Sequence, residues 1–168
     1  MASGRVSMRS LPFGTRRMVE WSIVALAVLL IVLVFVRQMR VVEGQAELSA
    51  IKTTVSALRT SFVLDFLRKQ VAAQDTSSAL TQHNPFELLG HYPVNYIGEM
   101  SPEQAELAPS GIWVFDPDCV CVGYLPIWGG WFDSPSGDPM AWFRVLGESG
   151  PLQLVAKESY HWQGEVLN

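Results

Sequence analysis

Residues 21–36 read Trp21-Ser22-Ile23-Val24-Ala25-Leu26-Ala27-Val28-Leu29-Leu30-Ile31-Val32-Leu33-Val34-Phe35-Val36, sixteen consecutive positions without a charge, in which only Ser22 has a polar side chain. A helix needs about 20 residues to cross hydrocarbon. Met18 and Val19 extend the run at one end, and Arg37 can snorkel at the other. A cleaved secretory leader has a shorter apolar core followed by small residues. Here Val36 is followed by Arg37-Gln38-Met39-Arg40, so a retained membrane anchor is the expectation.

The charges on either side set an orientation. Arg5, Arg9, Arg16 and Arg17 precede the span, against Arg37 and Arg40 directly after it, which favours a cytoplasmic N-terminus. Residues 41–168 hold six Lys or Arg against fifteen Asp or Glu, a balance of minus nine, and present no basic face for nucleic acid or anionic lipid. The chain therefore divides into a cytoplasmic tail (1–17), a transmembrane helix (18–40), an amphipathic helix and loop (41–83) and an outer α+β domain (84–168). Glu20 lies just inside the apolar run, where a carboxylate stays near the interface, is neutralised, or finds a cation. Arg16 and Arg17, four and three residues earlier, offer a local partner on the same helical face. A contact with a neighbouring subunit is the other reading.

Beyond the span the helical pattern continues. Leu48, Ile51, Val55, Leu58 and Phe62 follow at spacings of three and four, with Glu43, Glu47, Lys52, Thr53 and Arg59 off that stripe. No proline stands between Pro12 and Pro85. These features predict one helix from about Arg17 to Ala73. Two heptads are short for a coiled coil, so the stripe is expected to pack on the chain's own later residues.

Residues 74–83 turn to Gln, Asp, Thr and Ser and read as a loop. Asn84-Pro85-Phe86-Glu87-Leu88-Leu89-Gly90 carries an N-cap, a proline at the first helical position and a terminating glycine, the signature of a short helix. After a loop with Pro102 and Pro109, residues 112–115, 119–125, 140–146 and 152–157 are short runs rich in Val, Ile, Trp, Phe and Tyr, separated by turn chemistry. Short links favour antiparallel pairing. The expected fold is α+β, a long N-terminal helix packed on a small antiparallel sheet of three to four strands.

This arrangement resembles the type IV pilin and pseudopilin family. Asn84-Pro85-Phe86-Glu87-Leu88-Leu89, Pro93-Val94-Asn95-Tyr96-Ile97-Gly98-Glu99 and Gly111-Ile112-Trp113-Val114-Phe115-Asp116 look like the Asn-Pro, Asn-Tyr-x-Gly-Glu and Gly-x-Trp-x-Phe-Asp series of pilin-like minor components. Within the family they are most similar to accessory biogenesis proteins of mannose-sensitive haemagglutinin (MSHA) pili. The resemblance implies a non-enzymatic role in building an extracellular filament or secretion pseudopilus. It also implies a bacterial inner-membrane location with the outer domain in the periplasm, and other pilin-like subunits or assembly proteins as partners. Glu20 matches the family's registering glutamate. The chain departs from the family's processing pattern, since Gly14 is followed by Thr15-Arg16 and counting back from Glu20 makes Arg16 the first mature residue. An uncut chain would remain in the membrane as an assembly factor.

Signals of chemistry are sparse. Cys119 and Cys121, two apart on an expected strand, read as small buried residues or free thiols, or as a disulfide formed in an oxidising compartment, although an i, i+2 bridge on one strand face is strained. His83, His91 and His161 have no metal-ligand spacing with them. Asp133 and Asp138 flank Ser134, Ser136 and Gly137 but lack the acidic density of a calcium loop. No catalytic motif is present, and neither metal nor cofactor is expected. Trp113 and Trp142 read as buried strand residues. Trp128 and Trp131, spaced by glycines, read either as packing residues or as an exposed platform. The platform carries the alternative function, a membrane-anchored module binding glycan or protein.

Overall fold

The computed structural model describes residues 13–72, 83–147 and 150–167. The tail through residue 12 and residues 74–82 of the loop expected over 74–83 lie outside the described residues. With no proline to break it, the first helix, α1, runs over Phe13–Val71, 59 residues. The chain forms two compact units, Met1–Glu43 and Gly44–Asn168.

In the first unit every residue from 17 to 40 is exposed, and the helix is long and apolar enough to cross a membrane. The one hydroxyl in the run is satisfied locally, since Ser22 Oγ donates to the Met18 carbonyl at 2.8 Å.

In the second unit the predicted stripe is the spine of the core. Leu48, Ile51, Val55, Leu58 and Phe62 are buried, Leu58 completely, and they cluster with Phe115, Val122, Phe143 and Leu154 from the chain's own sheet. Each such side chain contributes about 1.5–3 kcal/mol by leaving water.

The strands are β1 (Tyr96–Glu99), β2 (Ile112–Asp116), β3 (Cys121–Leu125), β4 (Phe132–Asp133), β5 (Ala141–Leu146), β6 (Gln153–Ala156), β7 (Tyr160–Trp162) and β8 (Glu165–Leu167). They form a five-stranded sheet, β1-β2-β3-β5-β6, and a three-stranded sheet, β4-β7-β8. The class is α+β as expected, but the larger sheet is mixed, because β1 runs parallel to β2 while its other pairs are antiparallel. A parallel pair needs a crossover. It is provided by α2 (Pro102–Glu106), which begins with a capping box of Ser101 and Gln104 in what the sequence suggested was only loop. Ala105 of α2 packs with Ile112, Val114, Met140 and Trp142 in a second cluster. Both faces of β2 are thereby covered, and all five of its residues are buried.

The four strands read from sequence are β2, β3, β5 and β6. The strands missed, β1, β4, β7 and β8, are two to four residues long and include Gly98 or polar neighbours that weaken the alternation. The element expected at residues 84–90 is a single 3-10 turn, Pro85–Leu88, capped by Asn84. Gly123 sits opposite Trp142 on β5. A Cβ there would lie 2.5 Å from the indole, so only glycine admits that ring.

Candidate functional site

A buried polar group of the second unit is one the periodicity placed off the packing stripe. Glu47 is 7% exposed. Its Oε1 accepts from the Tyr124 hydroxyl at 2.9 Å and from the Ile127 N–H, and its Oε2 accepts from the Trp128 N–H at 3.3 Å. Three donors satisfy a carboxylate that would otherwise be costly to bury. Burial pushes the Tyr124 hydroxyl well above the ordinary phenol range, and the adjacent Glu47 charge adds to the effect.

One helical turn earlier, Gly44 completes the joint. A Cβ at Gly44 would lie 2.0 Å from the Trp131 ring, and the Gly44 carbonyl accepts from Trp162 Nε1 at 3.1 Å. The bare backbone lets the indole lie directly on the helix. Trp128 and Trp131 have ring centroids 6.4 Å apart and are half-buried against the core. Their glycine-spaced loop grips the helix, which is the packing reading of the two.

The segments at residues 84–89, 93–99 and 111–116 converge. Asn84 Nδ2 donates to the Tyr96 hydroxyl at 2.6 Å, and the Phe86 and Tyr96 rings lie 4.3 Å apart. Asn95 Nδ2 donates to the Gly111 carbonyl at 2.6 Å, and the Asn95 carbonyl accepts from the Trp113 N–H at 2.9 Å. Burial is the main cause that raises the Tyr96 hydroxyl above its usual range. These motif residues tie the 3-10 turn to β1 and β1 to β2.

Cys119 and Cys121 form a disulfide with Cα atoms 5.2 Å apart. The expectation that both lie on one strand is corrected, because β3 starts at Cys121 and Val120 has φ 53°. That left-handed residue turns the chain so that Cys119 reaches its partner from the preceding turn.

Asp138 is engaged by Met140 N–H at 2.8 Å and Trp142 Nε1 at 3.1 Å, so its oxygens serve a turn. Asp133 is exposed on β4. Among the described residues no His, Cys, Asp or Glu cluster has metal-binding geometry. Glu158 accepts from the Ser134 hydroxyl and the Ser136 N–H. Hydrogen bonding from the side chain and then the backbone of Ser136 holds its carboxyl below the usual range.

In the first unit, Arg17 and Glu20 are exposed three residues apart on the helix. The Arg16 side chain lies outside the described residues.

No protein-family model, curated protein or solved structure matches the chain.

Glu47, Gly44 and Tyr124 were not recognisable as a joint from the stripe alone. The signal was a glycine inside an otherwise strong helix three residues before a carboxylate, since glycine there costs about 1 kcal/mol unless something occupies its space.

Proposed function

We propose that this protein is a pilin-like component or a retained inner-membrane accessory factor in the assembly of a type IV, MSHA-like pilus or related pseudopilus. One observation supports this reading most. A single uninterrupted helix, Phe13–Val71, is apolar and exposed over residues 21–36 and forms the spine of an α+β domain from Leu48 onward. A helix of that composition suits a subunit held in a bilayer by one end while displaying a folded domain outside it. The role is assembly, not catalysis. The outer domain is periplasmic, and Glu20, near the start of the apolar run, sets register with other pilin-like subunits, with Arg17 three residues before it.

The test is Glu20→Ala in the full chain. A carboxylate near hydrocarbon that pairs with a neighbouring subunit is expected to be required for association. Co-purification with other pilin-like subunits should be lost, with expression and membrane insertion unchanged. Unaltered co-purification would retire the reading, because a purely local exposed pair is worth only about 0.3–0.5 kcal/mol.

A further inference from the structure

The five-stranded sheet ends at β6, and the direction of that strand's backbone groups follows from its partner. Lys157 N–H donates to the Trp142 carbonyl at 2.8 Å, and Val155 lies opposite Arg144 and Gln153 opposite Leu146. In an antiparallel ladder this turns the backbone of residues 153, 155 and 157 toward β5 and that of Leu154 and Ala156 outward. The Leu154 carbonyl accepts from Arg59 Nε at 3.1 Å. The N–H and carbonyl of Ala156 face out beside it.

The surroundings of this edge differ from the rest of the domain. Residues 41–168 hold six cations among fifteen acidic residues. Three of the six, Arg59, Arg144 and Lys157, border β6, together with the carboxylate of Glu158, which is engaged by Ser134 and Ser136. Two others are engaged elsewhere, Lys52 with Glu165 and Lys69 with Asp65. Shallow cavities of about 360 and 130 Å³ flank the strand, one beside Arg59 and the other between Arg144 and Leu146. On the outer face Leu146 and Val155 are 47% and 41% exposed. The opposite edge, β1, has an irregular register between Tyr96 and Glu99, a feature that discourages strand addition. The regular edge is thus also the cationic one.

We propose that β6 is a docking edge for an extended acidic segment of another protein, which adds to the sheet as a strand and sets its carboxylates against Arg144 and Lys157. Backbone bonds to Ala156 supply the pairing, alternate side chains enter the flanking cavities, and the charges select the partner. The inference goes beyond the filament reading and does not depend on it.

The test uses the full chain in detergent micelles and fluorescent peptides of alternating Glu and Val or alternating Lys and Val, read by anisotropy. The Glu/Val peptide should bind at least about tenfold more tightly, with the margin shrinking as salt rises. Ala156→Pro should abolish binding without lowering Tm, because its N–H faces outward. Arg144→Glu with Lys157→Glu should reverse the preference. Equal binding of the two peptides, or binding of neither, overturns the proposal. So does wild-type binding by a stably folded Ala156→Pro. If Ala156→Pro melts early, an unchanged preference in the charge-reversed variant overturns it instead. Peptide-free self-association that requires Arg144 and Lys157 would assign the edge to a second copy and likewise overturn it.

Discussion

The two halves of α1 share one backbone geometry and differ in how apolar residues are arranged around it. From Trp21 to Val36 they occupy every side of the helix, and every side is exposed. From Leu48 to Phe62 they fill one stripe, and that stripe is buried under the sheet. An unbroken helix therefore follows from the lack of proline, whereas its surroundings follow from the angular distribution of side chains. An all-round distribution suits hydrocarbon and a stripe suits one packed partner.

The largest expected effect breaks the comparison with one chemical change made twice. Leu58→Asp buries a carboxylate at a fully enclosed position and should cost several kcal/mol, on the order of the penalty for an unpaired buried charge. Circular dichroism should show the outer unit unfolded. Leu30→Asp, in the exposed apolar half, should leave the outer unit's melting unchanged and weaken membrane retention by about 2.5–3.5 kcal/mol on an insertion scale. If both variants unfold the outer unit, the two halves are not energetically distinct.

Next in size is Glu47→Ala. It removes the acceptor of the Tyr124 hydroxyl and two backbone N–H groups. A loss of about 2–3 kcal/mol is expected in denaturant melts, since charge-assisted acceptors leave costly orphans. Glu47→Gln, which keeps one acceptor, should recover part of it.

A smaller effect comes with alkali. Tyr160 is buried and its hydroxyl is pushed up from 10.0 to about 12, chiefly by desolvation, while it accepts the Trp142 N–H at 3.0 Å. A raised folded value favours the neutral phenol, so this stabilisation is complete below pH 10 and is lost as pH rises through about 12. Melting temperature should fall across that window. Tyr160→Phe should flatten the slope without removing it, because Tyr96 and Tyr124 are raised as well.

The smallest effect is at the surface. Lys52 pairs with Glu165 across the helix–β8 boundary, both side chains well exposed. Lys52→Ala should cost under about 1 kcal/mol, and less at high salt.

What was legible in the sequence follows the range of each interaction. The apolar run, the stripe and four strands depend on local periodicity and were readable. The parallel β1–β2 pair depends on a crossover through α2, whose five residues carry little periodic signal. Glu47 was misplaced because a heptad count ranks positions by polarity, and a buried carboxylate is recognisable only once its donors from residues 124–128 are brought near. The Cys119–Cys121 bridge depends on the left-handed Val120, a conformation that β-branched residues seldom adopt and no composition rule anticipates.

Gly44 and Trp131 can finally be viewed as a keyway and its key. Turning the helix about its own axis by one residue, roughly 100°, or sliding it about 1.5 Å, would bring a side chain to the place the indole fills. The Trp162 bond to the Gly44 carbonyl would break in the same movement. These turns of helix are thereby locked against torsion as well as slippage. Under a mechanical pull along them, that ring and that hydrogen bond resist together with the three bonds to Glu47 and the buried stripe.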